Sequence, residues 1–186
     1  PHCRHTLLLV PMDTAGLSIV RNVPVMQHQA LDGHCELLFR DVRVPVANRL
    51  GAEGEGLALA NTFVHENRIR QAASSLGAAQ YCVDESVAYA RERVVFGKPL
   101  WHNQAIQFPL AELHTECAMV RGLVQRTAWE LDRAADAVDV TERVSMSNYR
   151  ANRLCCEAAD RAIQVYGGIG YTRHWPFEHI YRHHRR

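Results

Sequence analysis

The chain has 186 residues, 47% of them hydrophobic, enough to bury one good core and part of a second. Twenty-one Lys and Arg against twenty Asp and Glu leave a net charge of +1, too balanced for a nucleic-acid partner or a membrane surface. No apolar run approaches the ~20 residues of a membrane span and no signal peptide is visible, so a soluble chain of the cytoplasm, or of the mitochondrial matrix in a eukaryote, is expected.

From His5 to about Val46 the pattern is strand-like: Thr6 to Val10, Ser18 to Val20, then Cys35 to Phe39, separated by Pro, Asp and Gly turn signals. Three such strands cannot close a barrel. They would leave an edge and an apolar face open, so residues 1–50 read as the remnant of a β domain. Asn48 to Gly56 is a glycine-rich hinge, after which residues 51–186 change to long helices. The expected fold is mainly α, an antiparallel helical bundle preceded by a few strands of an incomplete β domain.

The first helix is expected over about Leu57 to Arg91 and the second over about Asn103 to Asp132. In the second, Ile106, Leu110, Leu113, Cys117, Val120, Val124 and Leu131 form one apolar stripe. Pro109 is expected to kink its first turns or to mark where the helix proper begins. A capping signal from Asp139 to Glu142 opens the third helix, whose buried face is Val144, Ala151, Leu154, Ala158, Ala162 and Val165, and Gly167 ends it. A shorter helix follows Pro176, placed at its first helical position.

The six cysteines, Cys3, Cys35, Cys82, Cys117, Cys155 and Cys156, form no CxxC pair. They read as reduced, core-filling thiols, with Cys155 and Cys156 on different sides of a helix. The chain opens on Pro rather than Met and closes on a basic run, Tyr181 to Arg186, so a fragment of a longer reading frame is expected. That run reads first as a solvated helix end whose cations suit the carbonyl dipole.

Gln164-Val-Tyr-Gly-Gly-Ile-Gly-Tyr171 closes the third helix with three glycines that favour close backbone approach to a ligand or a partner. Because the glycines follow a helix instead of a strand, a dinucleotide fingerprint is excluded by context. Arg93 stands where the first helix gives way to the Phe96-Gly97-Lys98-Pro99 turn, and its planar fork suits a pyrophosphate. His179 and His183 are spaced i, i+4, but no HExxH pattern or second carboxylate completes a metal site, and none is expected.

These phrases together, Arg91-Glu-Arg-Val-Val-Phe-Gly-Lys98, Asn103-Gln104 and the glycine segment, closely resemble the carboxy-terminal half of the flavin-dependent acyl-CoA dehydrogenases. The resemblance extends from Glu36-Leu-Leu-Phe39 through Leu50-Gly-Ala-Glu-Gly-Glu-Gly56 to Pro176-Phe-Glu-His-Ile-Tyr-Arg182, nearly the whole chain. It implies FAD as cofactor. Arg93, Val94, Val95, Phe96, Asn103, Gln104, Gln164, Val165, Tyr166, Gly167 and Gly168 would line the adenosine diphosphate part of FAD, largely across a subunit interface. Val95 stands where relatives often carry a hydroxyl.

The same likeness places His65, Glu66, Asn67 and Arg68 along the acyl-CoA, with Arg68 the residue carried over for substrate contact. In some branches a glutamate immediately before that arginine is the base that removes the substrate α-proton; this chain has Asn67 there. Glu66 is turned from it by roughly 100° on a 3.6-residue helix and reads as a surface or interface carboxylate. The base is expected beyond Arg186, so no catalytic residue is assigned within the chain. The family reading implies oxidation of an acyl-CoA to the trans-2-enoyl-CoA by a homodimer or homotetramer that passes electrons to an acceptor such as electron-transferring flavoprotein. This chain alone is expected to be inactive. An acyl-CoA oxidase, or a non-catalytic helical assembly subunit, is the alternative.

Overall fold

The structure is a computed structural model that describes residues 5–26, 33–133 and 140–185. It divides into two compact units, one ending at Phe63 and the other beginning at Val64.

Among its described residues the first unit holds four short strands. β1 (Leu7–Leu8) pairs antiparallel with β4 (Arg49–Leu50), and β2 (Leu17–Asn22) pairs antiparallel with β3 (Cys35–Phe39), with an irregularity between Ile19 and Arg21. The expected first strand shrinks to two residues. The segment read as a pure hinge supplies its partner. Ile19, Val20, Leu37, Leu38 and Phe39 remain exposed, as a sheet lacking a second layer requires. Where Gly56 begins α1 (Gly56–Glu92), the His5 carbonyl would lie 2.8 Å from an added Cβ, so only glycine lets that carbonyl accept the Gly56 amide.

The second unit is helical: the rest of α1, a hairpin of β5 (Val94–Val95) and β6 (Lys98–Pro99), α2 (Gln104–Leu131), α3 (Thr141–Tyr166) and α4 (Phe177–His183). On α1, Ala72, Leu76, Ala79 and Val83 recur at helical spacing and are buried. On α3, all six residues of the expected apolar face are buried, and Ala151, Ala158 and Ala162 allow close helix approach. Ser75 meets Asn152, and Tyr89 meets Tyr166, at the same sequence offset, so α1 and α3 run parallel with α2 antiparallel to both. Phe177 anchors α4 in this core with no exposed surface, a burial worth about 1.5–3 kcal/mol.

Asn103 caps α2, its side-chain oxygen accepting the Ala105 amide at 3.0 Å. Pro109 lies inside that helix and does not begin it. Thr127, absent from the expected stripe, is wholly buried because its hydroxyl lies 2.8 Å from the Leu123 carbonyl and 3.1 Å from the Ser147 hydroxyl. α3 begins at Thr141 behind Val140, which makes no side-chain cap, and Asp139 of the expected capping signal lies outside the described residues. Pro176 precedes α4 as its N-cap, one position before the first helical residue. No described helix is long and apolar enough to cross a membrane.

Candidate functional site

The hairpin after α1 turns through Phe96 and Gly97, whose φ values are 51° and 77°, the left-handed pair of a two-residue turn. Gly97 adopts this without cost; Phe96 does not. Phe96 is nevertheless held at the tip, fully exposed, with Arg93 and Val94 also on the surface and Val95 half-buried. Backbone bonds fix the base of the hairpin: the Arg93 amide donates to Tyr89 at 2.8 Å, and Leu100 donates to the Arg93 carbonyl at 2.7 Å. Asn103 and Gln104 follow at the exposed start of α2.

At the end of α3, Gly167 adopts φ 66° and donates its amide back to Ile163 and Gln164. A Cβ added at Gly167 or Gly168 would meet nothing within 4 Å. Gly170 differs: there a Cβ would fall 2.7 Å from the Tyr166 Cβ and 2.8 Å from the Ile163 carbonyl. Two of the three glycines, Gly167 and Gly168, therefore present open backbone, and Gly170 is a packing requirement of its own chain.

Gln164 is exposed, but Val165 and Tyr166 are buried. The Tyr166 ring stacks on Tyr89 at 4.0 Å and meets Trp175 and Phe177 at 4.8 Å. Its hydroxyl donates to the Glu85 carbonyl at 3.2 Å. Burial, then the Glu85 carboxylate, raises its pKa above the usual phenol value, so it remains a neutral donor. Any ligand contact by Val165 and Tyr166 thus goes through their backbone. The Tyr166 side chain, through its stack on Tyr89, brings the glycine turn and the Arg93 hairpin to one end of the bundle.

The second candidate group lies elsewhere on α1. Arg68 and Arg93 are 25 residues apart, about 37 Å along the helix at 1.5 Å per residue, so the chain does not bring the two groups together. Arg68, half-buried, lines a cleft of about 420 Å³ with Tyr149, Asn152, Arg153, His184 and Arg185. Asn67 accepts a 2.6 Å hydrogen bond from Arg70, and Glu66 is exposed. His65 turns inward instead: it is 4% exposed, its Nε2 stands 3.3 Å from the Thr141 hydroxyl, and its Nδ1 is buried without a hydrogen-bond partner among the described residues.

Sequence reasoning missed the polar network at one wall of this cleft. Ser75 donates to Asn152 at 2.5 Å and lies 2.9 Å from His184 Nδ1, tying α1, α3 and the end of α4 together. Ser75 and Asn152 are buried among the apolar residues of α1 and α3, where polarity alone argues against a core position. His179 and His183 stack at 5.5 Å, and no group of three metal-ligating side chains occurs among the described residues.

The residues present fit the adenosine diphosphate part of FAD in chemistry: an exposed guanidinium, an exposed aromatic ring and bare Gly167–Gly168 backbone share one end of the bundle.

The family described as "Acyl-CoA dehydrogenase, C-terminal domain" matches residues 54–186. The chain is 37% identical over 184 residues to the probable acyl-CoA dehydrogenase FadE2 of Mycobacterium tuberculosis, covering 99% of this chain and 45% of that protein. It is 35% identical over 147 residues to the caffeyl-CoA reductase-Etf complex subunit CarC of Acetobacterium woodii, covering 79% of this chain and 38% of the relative. A solved structure of a putative acyl-CoA dehydrogenase from Mycobacterium abscessus superposes with a TM-score of 0.91 at 28% identity, over 99% of this chain and 45% of the other. The chain thus spans less than half the length of these relatives, and across that span it belongs to the acyl-CoA dehydrogenase family, with residues 54–186 forming the C-terminal helical domain.

Proposed function

We propose that the chain is the helical, flavin-facing part of an FAD-dependent enzyme that oxidises an acyl-CoA to the trans-2-enoyl-CoA. One observation carries this reading: the Tyr89–Tyr166 stack holds an exposed Arg93 hairpin and an open Gly167–Gly168 backbone at the same end of the bundle. Arg93 would hold the pyrophosphate through paired charge-assisted hydrogen bonds, and Phe96, Asn103, Gln104 and Gln164 would enclose the rest of the adenosine diphosphate. When bound, the flavin supplies acceptance of the β-hydride.

The distance along α1 between Arg93 and Arg68 supports a flavin shared between subunits of a homodimer or homotetramer, one subunit holding the nucleotide end while another offers the Arg68 cleft. Arg68 would orient the acyl-CoA there, which is the positioning part of catalysis. Glu66 is exposed on α1 and is not assigned as base; the α-proton is assigned to a carboxylate following Arg186 in the full-length protein. The likeness to the Etf-complex subunit supports electron-transferring flavoprotein as the acceptor.

The test is anaerobic addition of a series of acyl-CoA thioesters to the purified full-length protein. Loss of the oxidised-flavin absorbance with formation of enoyl-CoA is expected. A protein that purifies without FAD and gains none on reconstitution would instead be a non-catalytic assembly subunit. Rapid reoxidation by oxygen would make it an oxidase.

A further inference from the structure

We propose, on the reading that acyl-CoA lies beside Arg68, that the same cleft reads a negative charge on the acyl group, so that the preferred substrate is the coenzyme A thioester of an acid ending in a second carboxylate. Arg68 on α1, Arg153 on α3 and Arg185 just past α4 line the cleft of about 420 Å³, and among the described residues no Asp or Glu lines it with them. A cleft of this size suits a small ligand group.

Each cation reaches the cleft from a different element. The fold therefore gathers like charges that repel one another, a repulsion that an incoming anion offsets. Arg68 is the decisive residue. It is half-buried, and among the described residues its guanidinium has neither a hydrogen bond nor an ion pair. Arg143, Arg150 and Arg182 are half-buried too, and each holds a carboxylate: Glu130, Glu116 at 3.0 Å and Glu178 at 2.7 Å. Arg161, also half-buried, lines a groove that contains Glu112, Glu116, Glu157 and Asp160. Taking a cation out of water without a carboxylate is costly, so Arg68 is left one anion short.

The walls are set before a ligand arrives. Ser75 donates to Asn152 at 2.5 Å and Asn152 donates to Asn148 at 3.1 Å, which fixes two amides of the wall. Since the Ser75 proton goes to Asn152, its oxygen accepts from His184 Nδ1, 2.9 Å away, and holds that ring in the same wall. Arg153 lies over the Tyr149 ring at 5.6 Å and reaches Glu157 only at 3.9 Å, a carboxylate that Arg150 holds at 3.1 Å. Arg68 is the more enclosed cation, with Arg153 and Arg185 exposed at the rim. A narrow acyl chain ending in a carboxylate can pass them to meet the Arg68 fork.

Isothermal titration of the full-length protein with thioesters matched in length measures the preference without requiring turnover: glutaryl- against pentanoyl-CoA, adipoyl- against hexanoyl-CoA, and suberoyl- against octanoyl-CoA. The carboxylate member of at least one pair should bind about tenfold or more tightly than its neutral partner. Arg153→Gln and Arg185→Gln should each narrow that ratio. Arg68→Lys, which keeps the charge and loses the fork, should narrow it as well.

Equal affinity within every pair, a tighter neutral member, or a ratio unchanged in all three variants would overturn the proposal. So would variants that weaken both members of a pair equally, the result expected if the cleft held the coenzyme A phosphates. Flavin reduction by the thioesters without a carboxylate preference would leave the acyl-CoA dehydrogenase reading standing and remove this one; a carboxylate preference in binding without flavin reduction would do the reverse.

Discussion

Tyr89 and Tyr166 lie almost face to face, ring centroids 4.0 Å apart and planes inclined by 17°. Tyr89 is four residues before Arg93 and Tyr166 is the residue before Gly167, so one aromatic contact sets the spacing of the two segments proposed to hold the cofactor. Tyr166→Ala should therefore cost about 3–5 kcal/mol in stability, whereas Tyr166→Phe, which loses only the bond to Glu85, should cost about 1 kcal/mol. Urea unfolding of the 186-residue chain measures both. Equal costs would mean that the hydroxyl, not the ring packing, anchors this end.

How much of this was legible in the sequence follows from which signals are periodic. The buried faces of α2 and α3 repeat every three to four residues and were readable, as was the glycine that ends α3. Thr127 and Ser147 were not, because each hydroxyl finds a partner inside the bundle and so tolerates a core position that polarity argues against. The glycine phrase marks a turn, but only its packing separates open Gly167 and Gly168 from Gly170 pressed against Tyr166. His65, placed by likeness on the substrate side, is buried because that turn of α1 faces Thr141. The pairing of β1 with β4 was hidden because two-residue strands carry no alternation to read.

Acid should loosen α4. The Arg182 hydrogen bonds, at 2.7 and 3.0 Å, hold the Glu178 carboxyl below the usual carboxylate range against a smaller opposing effect of burial. A lowered native pKa stabilises the fold above the unfolded value of about 4.3, and that contribution disappears as pH falls through the native value. The stability gap between wild type and Glu178→Gln should accordingly be full at neutral pH and close in acid. A gap that widens in acid would reverse the assignment.

The thiols should divide sharply in reactivity. Burial, helped by the neighbouring Cys117, pushes Cys82 up to about 12, and burial likewise raises Cys117 and Cys155. Since the thiolate is the nucleophile, a brief iodoacetamide pulse on the native chain should label exposed Cys35 and spare these three until denaturant is added. Mass spectrometry reads the sites. Native labelling of Cys82 at the rate of Cys35 would show that the core opens readily.

Glu66→Gln in the full-length protein should change kcat less than about tenfold, because a general base must come within about 3 Å of its proton and Glu66 is out of phase with Asn67 by one helix position. Exchange of the substrate α-proton, followed by deuterium uptake with FAD bound, is the decisive readout. Abolished exchange would make Glu66 the base.

Arg93→Ala in the full-length protein tests the proposed cofactor surface most directly, by the flavin retained after dialysis beside the turnover rate per bound flavin. Loss of a charge-assisted contact with the pyrophosphate should cost about 1.5–3 kcal/mol of binding, so retention should fall while the rate per remaining flavin stays near that of the wild type. Full retention with a collapsed rate would contradict the placement of FAD at this end of the bundle.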